Sequence, residues 1–205
     1  MEIVKFFQEG GFWMYPILAV FLLGIAIMVE RYLFLSKTSR STRSMWAQLV
    51  PMLKANDYKR ALQLVEHNKS PLSMVLNYGF VQRAANKRRE TIEAAMEEGM
   101  MDAMPELTQR THYLASFANI ATLLGLLGTI VGLIQAFTAV SSADPSEKAN
   151  LLSASISVAM NTTALGLIAA IPLLLGHSYL VTKTAKLIDS LEKAAVKSLN
   201  LMVPE

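Results

Sequence analysis

The residues best able to do chemistry in this chain are hydroxyls set among apolar neighbours. Thr122, Gly125, Thr129, Gly132 and Ala136 recur at steps of three and four, and so do Ser155, Ala159, Thr163, Gly166 and Ala170, with Thr162 beside Thr163. On helices, each set makes one small, weakly polar face. Small residues let membrane helices approach closely, and Gly128-x-x-x-Gly132 is a common form of that packing. Gly125, Gly128, Gly132 and Gly166 therefore read first as packing residues. The threonines add hydroxyls, which can line an ion pathway, hold water or turn back onto a carbonyl one turn earlier. Thr129, Thr163, Thr162 and Asn161 are the candidates for lining a pathway. Asn119, Gln135 and Asn161 read first as groups that hydrogen-bond between helices.

What the same stretches lack is as informative. No Asp, Glu, Lys or Arg lies between Tyr113 and Val140 or between Leu151 and Val181. A proton path through a bilayer normally needs a titratable relay group, and a threonine hydroxyl does not titrate in the physiological range. If the chain supports ion movement, the carboxylate must come from another polypeptide packed against these faces, and the chain is half of a channel. His67, His112 and His177 share no metal-ligand spacing, and there is no cysteine. No metal, cofactor or enzyme activity is expected, since no nucleophile–base set or phosphate-binding glycine motif occurs. The run Lys87-Arg88-Arg89 reads as a solvated or headgroup-facing patch. It lacks the aromatic interleaving that would suggest nucleic acid.

The elements that must hold these residues follow from composition. Of 205 residues, 53% are hydrophobic and only 17% charged, against about 25% charged in an ordinary soluble domain. Three stretches exceed the roughly 20 helical residues that cross a bilayer. The expected order is a periplasmic N-terminus (1–11), a first span (12–35), a helical cytoplasmic domain (36–112), a second span (113–140), a periplasmic loop (141–150), a third span (151–181) and a cytoplasmic tail (182–205). The first span ends in Glu30-Arg31 and a basic stretch with no small-residue cleavage site, so it is expected to stay in the membrane. Twelve Lys and Arg lie between Lys37 and Arg110, whereas 1–11 and 141–150 hold one each. The positive-inside bias predicts N-out, C-in. The fold class is all-α, a polytopic membrane protein. In the cytoplasmic segment the pattern predicts a short hairpin, Met45–Ala55 and Asp57–His67 with Asn56 as N-cap, then a helix opened by Ser70-Pro71. A basic break over Asn86–Arg89 follows. From Thr91 nothing decisive stops the helical pattern before the second span, although Gly99 and Pro105 could bend it.

With these features, nearly the whole chain resembles the MotA/TolQ/ExbB proton channel family, its ExbB-type branch most closely. The strings that carry the resemblance are GGFWMYPILAVFLLGIAIMVERYLFL (10–35), LLGLLGTIVGLIQAF (123–137) and TTALGLIAAIPLLL (162–175). The resemblance implies that Thr129 and Thr163 line a pore, and that the chain forms a homopentamer in the bacterial inner membrane. It implies a single-span partner of the ExbD/TolR type, whose membrane aspartate carries the proton, and a TonB-type protein that drives uptake at the outer membrane. The chain departs from the pattern at Val158, where ExbB- and TolQ-type sequences usually carry glutamate. There the Val-Ala-Met-Asn-Thr-Thr string is closer to sodium-driven flagellar stators, so proton and sodium both stay open, with Asn161 the residue able to substitute in part. A TolQ-like envelope or gliding motor is the alternative within this architecture. A structural membrane scaffold is the alternative from another class.

Overall fold

A computed structural model describes residues 11–85 and 87–203. Among these, every regular element is an α-helix: α1 (Met14–Lys54), α2 (Tyr58–His67), α3 (Pro71–Ala84), α4 (Arg89–Thr108), α5 (Thr111–Ser142) and α6 (Lys148–Met202). Three helical stretches, in α1, α5 and α6, are long and apolar enough to cross a membrane. Among the described residues two compact units form, one from residues 11–30 and 110–179, the other from residues 31–85, 87–109 and 180–203.

The first unit holds the apolar stretches. Its core gathers Ile17 of α1, Ala121 of α5 and Ala169 of α6, with Val20, Phe21, Leu124 and Leu165 packed around them. Pro16 lies in the first turn of α1, where its missing N–H removes nothing. Lys5 and the rest of the expected N-terminal segment up to residue 10 lie outside the described residues, as does Asn86.

Among the described residues of the second unit, every regular element is a helix. Along α1 the buried positions include Leu35, Thr38, Thr42, Met45, Leu49 and Leu53, and along α6 they include Leu180, Thr184, Leu187, Leu191, Ala194 and Ser198. Both series step by three and four and repeat every seven residues, the spacing of helices that pack along a shared seam. That repeat corrects the expected hairpin: Met45–Lys54 is the last part of α1, because its apolar stripe continues in phase from Leu35. The capping residue is also one place later than expected. Asp57 caps α2 by accepting the Arg60 N–H, and Asn56 takes a left-handed conformation (φ 56°) just before it. Asn tolerates that conformation, and the cap falls to Asp57, which has returned to a negative φ of −86°.

Ser70 caps α3, accepting the Ser73 N–H at 3.2 Å, and Pro71 is the first helical residue. The continuous helix expected from Thr91 to Val140 is instead two. α4 ends at Thr108, and Arg110 stands left-handed at φ 61° before α5 begins. Gly99 lies inside α4. A Cβ there would stand 3.0 Å from the Val75 Cα and from the Tyr78 ring, so the glycine permits close approach of α3. Tyr78 Oη donates to Asp102 at 2.7 Å. That hydrogen bond, with the carboxylate charge, raises the phenol above its ordinary value.

Three basic residues have structural work the sequence hides. Arg31 is 1% exposed; its Nη2 donates to the carbonyls of Glu106 (3.1 Å) and Leu107 (2.7 Å), and its guanidinium lies over Phe34. It thus caps the carbonyl end of α4. Arg89, expected in a solvated patch, donates to the Val203 carbonyl at 2.7 Å and to the Asn200 side chain. Arg83 reaches the Met202 carbonyl (3.0 Å) and Tyr58 the Leu201 carbonyl (3.3 Å). The last carbonyls of α6, which no helical N–H satisfies, are therefore met from α2, α3 and α4.

Candidate functional site

All the candidate residues fall in the first unit, on α5 and α6, which run antiparallel along a seam of small residues. The closest approach is at Gly125 and Gly166. A Cβ on Gly166 would stand 2.7 Å from the Ala121 carbonyl oxygen and 3.1 Å from the Gly125 Cα; one on Gly125 would stand 3.3 Å from the Thr163 and Gly166 Cα atoms. Only hydrogen fits there. One turn along, Gly128 receives the Thr162 methyl, and a Cβ on Gly132 would stand 3.0 Å from that of Ala159. The buried line on α5 therefore runs through Ala118, Ala121, Gly125, Gly128 and Ala136. Thr122 and Thr129, grouped with the glycines by spacing, stand at its edge. Ala118 and Ala121 lie outside the small faces expected from spacing; they continue the same seven-residue repeat toward the start of α5, and that periodicity is the signal for them.

The hydroxyls divide into two kinds. Thr162 turns back onto its own helix, donating to the Val158 carbonyl at 2.9 Å, and is 2% exposed. Thr122 does the same to Ala118 at 3.1 Å, and Thr129 donates to the Leu126 carbonyl at 2.6 Å. Thr163 instead crosses the seam and donates to the Gly125 carbonyl at 3.0 Å. This bond depends on the glycines, because a larger residue at 125 or 166 would move that carbonyl away. Thr162 is closed into the seam, while Thr129 and Thr163 remain half-buried.

A threonine has one O–H to give and two lone pairs to receive. With their protons committed to backbone carbonyls, Thr129 and Thr163 present acceptors. Acceptors in an apolar setting suit a cation or the O–H of a protonated carboxylic acid, and they repel an ionised carboxylate. Asn161 is half-buried and makes no hydrogen bond among the described residues. Val158 lies against Gly11, whose Cβ would stand 3.4 Å from Val158 Cγ1. Gly11 takes φ +73°, so the chain reaches this position through a conformation that favours glycine. Asn119 and Gln135 are exposed on the surface of this unit. No group of three or more potential metal ligands occurs among the described residues.

Comparison with known proteins bears on the same residues. The sequence model of the MotA/TolQ/ExbB proton channel family matches residues 67–193, which include the seam and every hydroxyl on it. A protein described as an ExbB homolog in biopolymer transport, from Methanothermobacter thermautotrophicus, is 29% identical over 192 residues, covering 93% of this chain and 67% of the relative. Biopolymer transport protein exbB1 of Vibrio cholerae is 27% identical over 177 residues, 84% of this chain and 76% of the relative. The Tol-Pal system protein TolQ of Haemophilus influenzae is 34% identical over 86 residues, 42% of this chain and 37% of the relative. With its three apolar helices, its glycine seam and its all-α fold, the chain belongs to the MotA/TolQ/ExbB proton channel family and stands close to ExbB.

Proposed function

We propose that this protein is the ion-channel subunit of a membrane motor. It would work in the inner membrane, N-out and C-in, as a homopentamer around a single-span partner of the ExbD/TolR type. The partner's aspartate carries the proton, and the output reaches a TonB-type protein to drive uptake across the outer membrane. One observation carries this reading: Thr129 and Thr163 spend their protons on backbone carbonyls, on helices whose apolar stretches, 113–140 and 151–181, contain no Asp, Glu, Lys or Arg. Acceptors alone cannot relay a proton, but they stabilise one arriving on another chain's carboxylic acid. Each elementary charge crossing 100 mV releases about 2.3 kcal/mol, so a few ions suffice for one mechanical step. In this role the chain binds and orients the partner's acid and carries out no covalent chemistry.

Reconstitution in liposomes with a single-span partner of the ExbD/TolR type tests this. Ion flux should need both chains and should fall at least about tenfold when Thr163 becomes Val, which removes the acceptor but keeps the shape. Full flux from this chain alone, or unchanged flux in Thr163→Val, would defeat the proposal. The similarity to TolQ favours a second reading, in which the same channel serves envelope maintenance. Val158 bears on the ion: the same flux measured with sodium in place of a proton gradient separates the two.

A further inference from the structure

We infer that the second unit of one copy docks its acidic, methionine-rich groove onto the basic flank of the next copy, joining subunits head to tail. This rests on the homo-oligomer proposed above and adds the surface that forms it. The groove encloses about 510 Å³ between α4 and the end of α6. Met96, Met100, Met101 and Met104 floor it, and Glu93, Glu97 and Glu192 supply its charge. Met101 is 69% exposed and Val196, on the α6 side, 55%. Flexible methionines at an open apolar surface are suited to receiving another chain.

The opposite side of the same stretch of α6 carries the complement. A second groove, of about 310 Å³, lies between α1 and α6; Arg43, Lys193 and Lys197 supply its charge and Trp46 its apolar surface. Lys193 is held by Asp189 at 3.0 Å, which leaves Arg43 and Lys197 as the cations without an ion pair among the described residues. At 100° per residue, the α6 residues lining the first groove, Glu192, Ala195, Val196 and Leu199, average roughly 160° around the helix from Ser190, Lys193, Ala194 and Lys197, which line the second. One short length of α6, residues 190–199, therefore divides an acidic flank from a basic one. Both flanks sit at the same level along that helix. Copies related by rotation about the membrane normal keep their heights, so acidic and basic flanks meet in register. Opposite charges on different faces disfavour a two-fold dimer, in which each face would meet its own kind, and favour a head-to-tail closed ring.

The chain has no cysteine, so cross-linking is unambiguous. Full-length Val196→Cys and Ser39→Cys chains, one mark in each groove, are co-expressed in membranes with the single-span partner and treated with a bifunctional maleimide. The expected product is a dimer containing one chain of each kind, with little product when either variant is expressed alone. Glu97→Lys in both chains should lower that yield about tenfold, and adding Lys197→Glu should restore much of it, since the exchanged charges again oppose. Cross-linked pairs from a single variant, capture of a different polypeptide instead of the second copy, or no mixed dimer would each overturn the inference. Because the readout is covalent and not ion flux, a conducting protein without the mixed dimer refutes this interface alone. A mixed dimer in a protein without flux refutes only the channel reading.

Discussion

At the scale of single residues, the chain assigns its polar groups by what satisfies them. Arg31 shows this most clearly. From the sequence it is an interfacial charge at the end of a span, one of the basic residues that set orientation. In the fold it is buried, and its positive charge meets the partial negative charge of a helix end through two carbonyls of α4. Nothing local reveals this, because the partners lie 75 and 76 residues away. A buried guanidinium stripped of those carbonyls would be costly, and so would the carbonyls without it. Arg31→Leu should therefore destabilise the second unit by about 2 kcal/mol. Arg31→Lys should cost less, keeping a charge but losing the planar fork. Thermal unfolding in detergent checks both, and equal stability of Arg31→Leu and wild type would refute the capping role. Thr162 and Thr163 make the same point with adjacent residues. One is locked to its own helix and the other crosses to α5, a distinction that spacing could pose as alternatives but not decide.

At the scale of elements, the seam between α5 and α6 follows from the absence of side chains. Gly166 is its most demanding position, because the atom a Cβ would meet at 2.7 Å is a backbone oxygen. Gly79, by contrast, faces the flexible end of Met96, which can move aside. Gly166→Ala should cost about 2 kcal/mol, toward the middle of the range for overpacking, and Gly79→Ala distinctly less. The seam change should also lengthen the Thr163-to-Gly125 bond and so lower ion flux, whereas Gly79→Ala should leave flux unaltered. The small-residue faces, the three apolar stretches and the Ser70-Pro71 helix start could be read from the chain, since each is written in neighbouring residues. The α4–α5 break was hidden, because Arg110 takes its left-handed conformation without a glycine to announce it. The end of α6 was hidden too: its carbonyls are met by Tyr58, Arg83 and Arg89, more than 100 residues earlier. Arg89→Ala should loosen the last turn of α6, which faster amide exchange at Asn200–Val203 would register. Unchanged protection there would show that Tyr58 and Arg83 suffice.

At the scale of the whole molecule, the distribution of charge ties the fold to the membrane. α6 is roughly 80 Å long at 1.5 Å per residue, against about 30 Å of hydrocarbon, so much of it must stand in water. Lys148 opens it, its other four lysines, Lys183, Lys186, Lys193 and Lys197, follow the apolar stretch, and the residues from Lys37 to Arg110 add twelve more basic ones. Acidic residues do not set orientation, so the excess of Lys and Arg is the quantity that decides which side stays inside. In the proposed N-out, C-in arrangement, the short connection from 143 to 147, with Asp144 and Glu147 and no basic residue, lies on the other side. This N-out, C-in arrangement is testable in the cysteine-free chain with two exposed positions, Ser146 between α5 and α6 and Ser44 on α1. In spheroplasts, a membrane-impermeant maleimide should label Ser146→Cys at once and Ser44→Cys only after the membrane is permeabilised. The reverse pattern would place the acidic and basic grooves outside the cell and leave the proposed channel facing the wrong way. Labelling of both without permeabilisation would mean that α5 does not separate two compartments, and a channel built on its threonines would have no gradient to use.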